Sequence, residues 1–195
     1  MTKSFVASYI HRNFGVVEAM NGRWEKSAEH FKRSIASMPT NATSHYLLGM
    51  QCLDSKCWAD AIEHLQDSLQ LDPDFKAPWV NLGFAWLRLK SWDRVIEASE
   101  AGLQRHPYTA HCFYNKGLAL YLKAADCEAA CRDFQPAKQL RHDALKAFEE
   151  TRALLERSSL WTEKDDQLVE ALCTECRPLG CTQHLDGWKF FGWRP

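Results

Sequence analysis

The sequence predicts an all-α fold: a solenoid of about four helix-turn-helix hairpins, then a capping helix and an irregular tail. Three observations predict it. One pattern is written twice in the same register, as HYLLGMQCLDSKCWADAIEHLQDSLQLDP from His45 and WVNLGFAWLRLKSWDRVIEASEAGLQRHP from Trp79. Its marks recur at one constant interval: Gly15, Gly49, Gly83 and Gly117; Trp24, Trp58 and Trp92; Pro39, Pro73 and Pro107. Between the marks, apolar residues fall at helical spacing and are punctuated by turn residues, as in stacked helical hairpins.

Each hairpin is justified in turn. Repeat one spans 8–41: Phe14, Gly15 and Met20 lie on its first helix, and Trp24, Phe31 and Ile35 on its second. Asn21-Gly22 between them is a turn signal, because both residues tolerate positive φ. Pro39 closes the hairpin, since proline cannot continue the helical hydrogen-bond ladder. Repeats two and three span 42–75 and 76–109. Repeat four spans 110–160; it starts in register at Phe113 and Gly117, but Ala144 and Phe148 come well after positions 129 and 133, where the period places them. The segment 124–138 is therefore read as an insertion within the 1–160 solenoid, a helical extension with a break near Pro136. Thr162 caps a further helix over 161–177, whose Leu168, Val169 and Leu172 share a face. The tail, 178–195, is dense in aromatic residues.

These marks resemble the tetratricopeptide repeat (TPR) pattern, W-x2-L-G-x2-Y, then A-x3-F, then P. Trp79, Leu82, Gly83 and Trp86 carry its first part; Leu48, Gly49, Ala61 and Pro73 carry it in the preceding repeat, and Phe14, Gly15, Phe31 and Pro39 in the first. Val95 and Ser99 depart from it where Ala and Phe are expected. The resemblance implies a right-handed superhelix whose first helices line a groove. Trp24, Trp58 and Trp92, opening each second helix, are expected to pack back onto the first.

Composition narrows the function. Apolar residues make up 46% and charged residues 25% of 195, enough for a buried core. A net charge of −1 without a basic stripe argues against nucleic acid as a main partner. No apolar run is long enough to span a bilayer. Eight cysteines without a secretory signal point to a reducing compartment, the cytoplasm or, given the acid-free stretch before Glu18, the mitochondrial matrix. No phosphate-binding glycine loop, metalloprotease motif or nucleophile elbow occurs, so a non-enzymatic role is expected.

The expected role is a scaffold or adaptor, a subunit of a larger complex that binds a partner peptide in the groove. Asn13, Asn81 and Asn115 each stand two residues before a repeat glycine, and the resemblance places them on one side of the groove. An amide offers a donor and an acceptor to a peptide backbone, in the manner of the asparagine ladder of the O-GlcNAc transferase repeat domain. Tyr9, Arg12, Tyr46, Phe84, Arg88, Tyr114 and Tyr121 are the neighbouring groove positions, aromatics and arginines of the kind enriched at hot spots. The basic clamp that chaperone-binding TPR proteins use is missing: only Arg12 fits, while Val16, Leu47, Ala77 and Asn81 occupy its other positions.

Two C-terminal features suggest alternatives. Cys173, Cys176, Cys181 and His184 have the spacing of a tetrahedral zinc site, the one cofactor the sequence suggests; it would make a zinc-stabilised module contacting RNA or protein. Trp188, Phe190, Phe191 and Trp193 either fold back or dock into a partner. A dedicated chaperone for a single client is the remaining alternative.

Overall fold

The computed structural model describes residues 3–130 and 135–157. Among the described residues there are eight helices and no strand: α1 (Lys3–Met20), α2 (Trp24–Ser37), α3 (Ala42–Asp54), α4 (Trp58–Leu71), α5 (Lys76–Arg88), α6 (Trp92–Arg105), α7 (Ala110–Ala130) and α8 (Gln135–Arg157). No described helix is long and apolar enough to cross a membrane. The helices form two compact units, one up to Lys90 and the other from Ser91.

In the first unit, α1 packs on α2, α2 on α3, α3 on α4 and α4 on α5. The buried positions of α2 are Ser27, Phe31 and Ser34, and those of α4 include Ala61, Leu65 and Ser68. Steps of three and four keep them on one stripe of an otherwise charged helix. The helices approach closely at Gly15 and Gly49. A Cβ on Gly15 would stand 2.5 Å from the Phe31 ring, and one on Gly49 would stand 3.0 Å from Leu65.

The hairpin turns repeat as well. Gly22, Lys56 and Lys90 share a left-handed backbone, with φ of 72°, 61° and 56°. The Cys57 amide donates to the Cys52 carbonyl, and Arg23 to Glu18, across this residue. These i to i−5 bonds satisfy carbonyls left over at the helix end. Glycine adopts that φ freely, whereas lysine does so at a steric cost.

Buried hydroxyls tie together the two helices of a hairpin. Ser34 Oγ donates to the Ser8 carbonyl at 2.8 Å, and Ser68 Oγ donates to the Ala42 carbonyl at the same distance one period later. Asn41 caps α3 by accepting from the Ser44 amide, and its own amide donates to Ser8 Oγ at 2.9 Å.

Two of the tryptophans also make contacts that run forward to the following repeat, which the sequence reading did not include. Trp58 meets Phe84 of α5 edge-on at 6.1 Å, under the Arg88 guanidinium at 5.1 Å. In the second unit the Trp92 indole donates to Asp126 of α7 at 2.6 Å. Helical side chains lean toward the N-terminus, so a residue at the first position of a helix projects past its end.

The second unit packs α6 on α7 and α7 on α8. Helix α7 runs for 21 residues, and Pro136 lies in the first turn of α8, where its missing N–H is not needed. Val95 and Ser99 are fully buried on α6. A cavity of about 490 Å³ opens among the three helices, lined by Ile96, Glu100, Phe113, Lys116, Leu120, Asp143, Lys146, Ala147 and Glu150. Lys116 spans part of it to Glu100 at 2.7 Å.

Candidate interaction site

The asparagines marked out by the sequence do not share one environment. Asn13 is exposed on α1, whereas Asn81 and Asn115 are buried. The Asn81 amide is used internally, donating to Met50 Sδ at 2.7 Å and toward Tyr46 Oη at 3.4 Å. These two residues are packing positions here and do not offer their amides to a peptide backbone. Tyr46, Tyr114 and Tyr121 are buried too; Phe84 and Arg88 are half-buried beside Trp58. Of the predicted groove residues, Tyr9, Arg12 and Asn13 reach solvent, with the Arg12 guanidinium 5.0 Å over the Tyr9 ring. Cys173, Cys176, Cys181, His184 and the aromatic tail lie outside the described residues, as does the capping helix.

Burial also shifts the ionisation of Tyr46, Cys52, Asp54 and His64. It pushes the Tyr46 phenol up to about 12, against the lowering effect of the Asn81 hydrogen bond. It pushes the Cys52 thiol up to about 11 and raises the Asp54 carboxyl. His64 is held below the ordinary histidine value, first by burial and then by neighbouring His45, with Glu63, Asp67 and Asp60 opposing.

On the outer side of α1 the sequence singled out Tyr9, Arg12 and Asn13, but not the apolar residues around them. Ser8 and Gly15 face α2 and are buried. Opposite them, Val6, Ile10, Asn13, Val17 and Met20 follow steps of four and three and are all exposed, flanked by exposed Tyr9, Phe14 and Val16. The repeat register explains why this is unusual. Phe14 is 52% exposed, while its equivalents Leu48 and Leu82 are 3% and 5% exposed. Ile10 and Val17 correspond to Ser44 and Gln51, the residues through which α3 touches α2: Ser44 Oγ meets Ser34 Oγ at 2.7 Å, and the Gln51 amide donates to the Trp24 carbonyl. The apolar side of α1 is thus the side that α3 covers with the preceding hairpin. Its charges before Glu18 are basic only, Lys3 and Arg12, and Glu18 itself is paired with Arg23.

No protein-family profile matches the chain. No curated protein sequence matches it either. Solved structures do. A crystal structure of MamA superposes with a TM-score of 0.65 over 79% of this chain and 81% of that one, at 21% identity. The chain has the TPR fold. YrrB, described as a TPR protein with an unusual peptide-binding site, matches this chain with a TM-score of 0.61 and 17% identity, covering 76% of it and 69% of YrrB. The first TPR of Spaghetti (RPAP3), bound to the HSP90 peptide SRMEEVD, matches with a TM-score of 0.59 and 12% identity, over 62% of this chain and 95% of that one. In TPR terms, α1–α2 is a first hairpin whose first helix has nothing described upstream to cover it.

Proposed function

We propose that the chain is a non-enzymatic interaction scaffold, a subunit that holds a helix of another protein against the open side of α1. The observation that carries this reading is the exposure of Ile10, Phe14 and Val17 at register positions where the later repeats bury their residues. An apolar helix face left in water is a standing drive for association. The occupant is a helix because that is what fills the same place on α3. It carries an apolar stripe with acidic flanks, since α1 offers basic charge alone before Glu18 and charges beside a helical seam select the partner. Peptide recognition by the RPAP3 and YrrB repeats supports a binding role for the same fold.

Fluorescence anisotropy with two synthetic helical peptides tests the proposal. Both carry leucine at seam positions; one has glutamate flanks and the other lysine flanks. The glutamate peptide is expected to bind more tightly. The Ile10→Lys/Val17→Lys variant is expected to lose at least tenfold in affinity while keeping its circular dichroism and melting temperature. Equal binding by variant and wild type would sink the proposal. Light scattering adds one more outcome: a wild-type dimer that the variant dissolves makes a second copy the occupant and overturns the partner assignment.

A further inference from the structure

The α3–α4 hairpin carries a second cluster that the interaction reading does not use. His45 sits in the first turn of α3 and is 9% exposed. His64 and Asp67 are three residues apart on α4, hence on one face. One ligand-capable atom from each of the three lies within 4.8 Å of the others. The shortest approach is His45 Nδ1 to Asp67 Oδ2, at 3.4 Å.

The hydrogen bonding fixes how His45 presents itself. Its Nε2 is 3.1 Å from the Pro39 carbonyl, which can only accept, so Nε2 carries the hydrogen. The repeat register repeats the arrangement. Trp79, one period later, donates its indole N–H to the Pro73 carbonyl at 2.9 Å, and an indole can only donate. His45 Nδ1 therefore turns a lone pair toward the Asp67 carboxylate, and two acceptors face each other. Neither His45 Nδ1 nor His64 Nδ1 has a hydrogen-bond partner, and both are buried. A proton on His45 would answer Asp67 but leave His64 unserved. A cation answers all three.

We propose that His45, His64 and Asp67 bind a first-row divalent cation of the zinc class, with a fourth position left to water. Two imidazole nitrogens and one carboxylate oxygen are the donors such ions take. The Pro39 carbonyl supplies the outer hydrogen bond that orients a ligating histidine. Ligand atoms of a tetrahedral zinc ion sit about 3.4 Å apart. His45 and Asp67 already have that spacing, and Asp67, its side chain 39% exposed, can rotate to close the set. Asp60 and Glu63 on the same helix add negative potential at His64. The ion would tie α3 to α4.

The test uses the tag-free full chain with Cys173→Ser, Cys176→Ser and Cys181→Ser, which removes the candidate thiolate ligands of the tail. Zinc is titrated calorimetrically, and cobalt(II) by visible absorption. The expected result is one equivalent bound, a cobalt spectrum of tetrahedral intensity without a thiolate charge-transfer band, and a zinc-dependent rise in melting temperature. His64→Gln and Asp67→Asn, both at partly exposed positions, are each expected to weaken binding at least tenfold and abolish that rise. No uptake by the triple-serine chain, or unchanged affinity in both point variants, overturns the proposal. If the serine changes prevent folding, the native chain's cobalt spectrum decides. A nitrogen and oxygen spectrum lost on His64→Gln supports the site; a thiolate spectrum indifferent to His64→Gln refutes it.

Discussion

A Cβ on Gly117 would stand 2.9 Å from Cε1 of Phe148, the same encounter that Gly15 has with Phe31, although the first pair lies nearly twice as far apart in sequence. The repeat contact between a first-helix glycine and a large second-helix side chain is kept across the longer connection of repeat four. Phe148 is 1% exposed and has little room to yield. Gly117→Ala is therefore expected to destabilise by about 1–3 kcal/mol through overpacking, despite alanine's better helix propensity. Gly117→Ala/Phe148→Leu is expected to cost less than the sum of the two single changes, as residues in contact do. Urea unfolding of the four proteins measures this; additive costs would mean the two residues do not share the contact.

The hairpin turns make an opposite pair of predictions. Lys56→Gly relieves a left-handed lysine but loosens the unfolded chain, for a net gain of roughly 0.5–1 kcal/mol. Gly22→Ala meets no atom within 4 Å yet has to adopt φ of 72°, so it is expected to lose about 1 kcal/mol. Both are read from urea midpoints. A destabilised Lys56→Gly would show that the lysine side chain contributes more than its backbone costs.

How much of this was legible in the sequence depends on what each residue needed from its neighbours. The glycine, tryptophan and proline marks gave the hairpins directly, because close approach and turn geometry act locally. Phe148's partnership with Gly117 could be read too, as the delayed large residue of repeat four. The openness of α1 could not: Ile10, Phe14 and Val17 look like core residues, and only the packing shows that no described helix covers them. Asn81 reads as a surface amide until Tyr46 and Met50 enclose it. His45, His64 and Asp67 match no linear motif, because pairing across the hairpin is what assembles them.

Cysteine reactivity follows from burial. Cys52 is half-buried with its thiol pushed up to about 11, while Cys57 is exposed at the turn before α4. The thiolate is the nucleophile. Iodoacetamide at pH 8 is expected to label Cys57 well before Cys52, with peptide mass spectrometry following each site. Raising the pH toward 11 is expected to speed the labelling of Cys52. Equal initial rates at pH 8 would contradict the burial of Cys52.

Tyr46 gives the chain a weakness at alkaline pH. Its phenol is pushed up to about 12 by burial, above the ordinary value of 10.0. A raised acid pKa means the unfolded state releases its proton first, so the folded state binds more protons between the two values. Stability from this group is therefore complete below pH 10 and falls as pH rises from 10 toward 12. Ultraviolet titration of the phenols is expected to include a late step near pH 12, and Tyr46→Phe is expected to reduce that step by one phenol. Tyr46→Phe is also expected to flatten the loss of stability over the same interval, because phenylalanine has no proton to give up. Asn81→Leu separates the two causes: it removes the hydrogen bond that lowers the phenol pKa while keeping the site buried, so ionisation is expected later still. An earlier ionisation in Asn81→Leu would mean that the site had opened, and that Asn81 keeps Tyr46 buried by its packing rather than by its hydrogen bond.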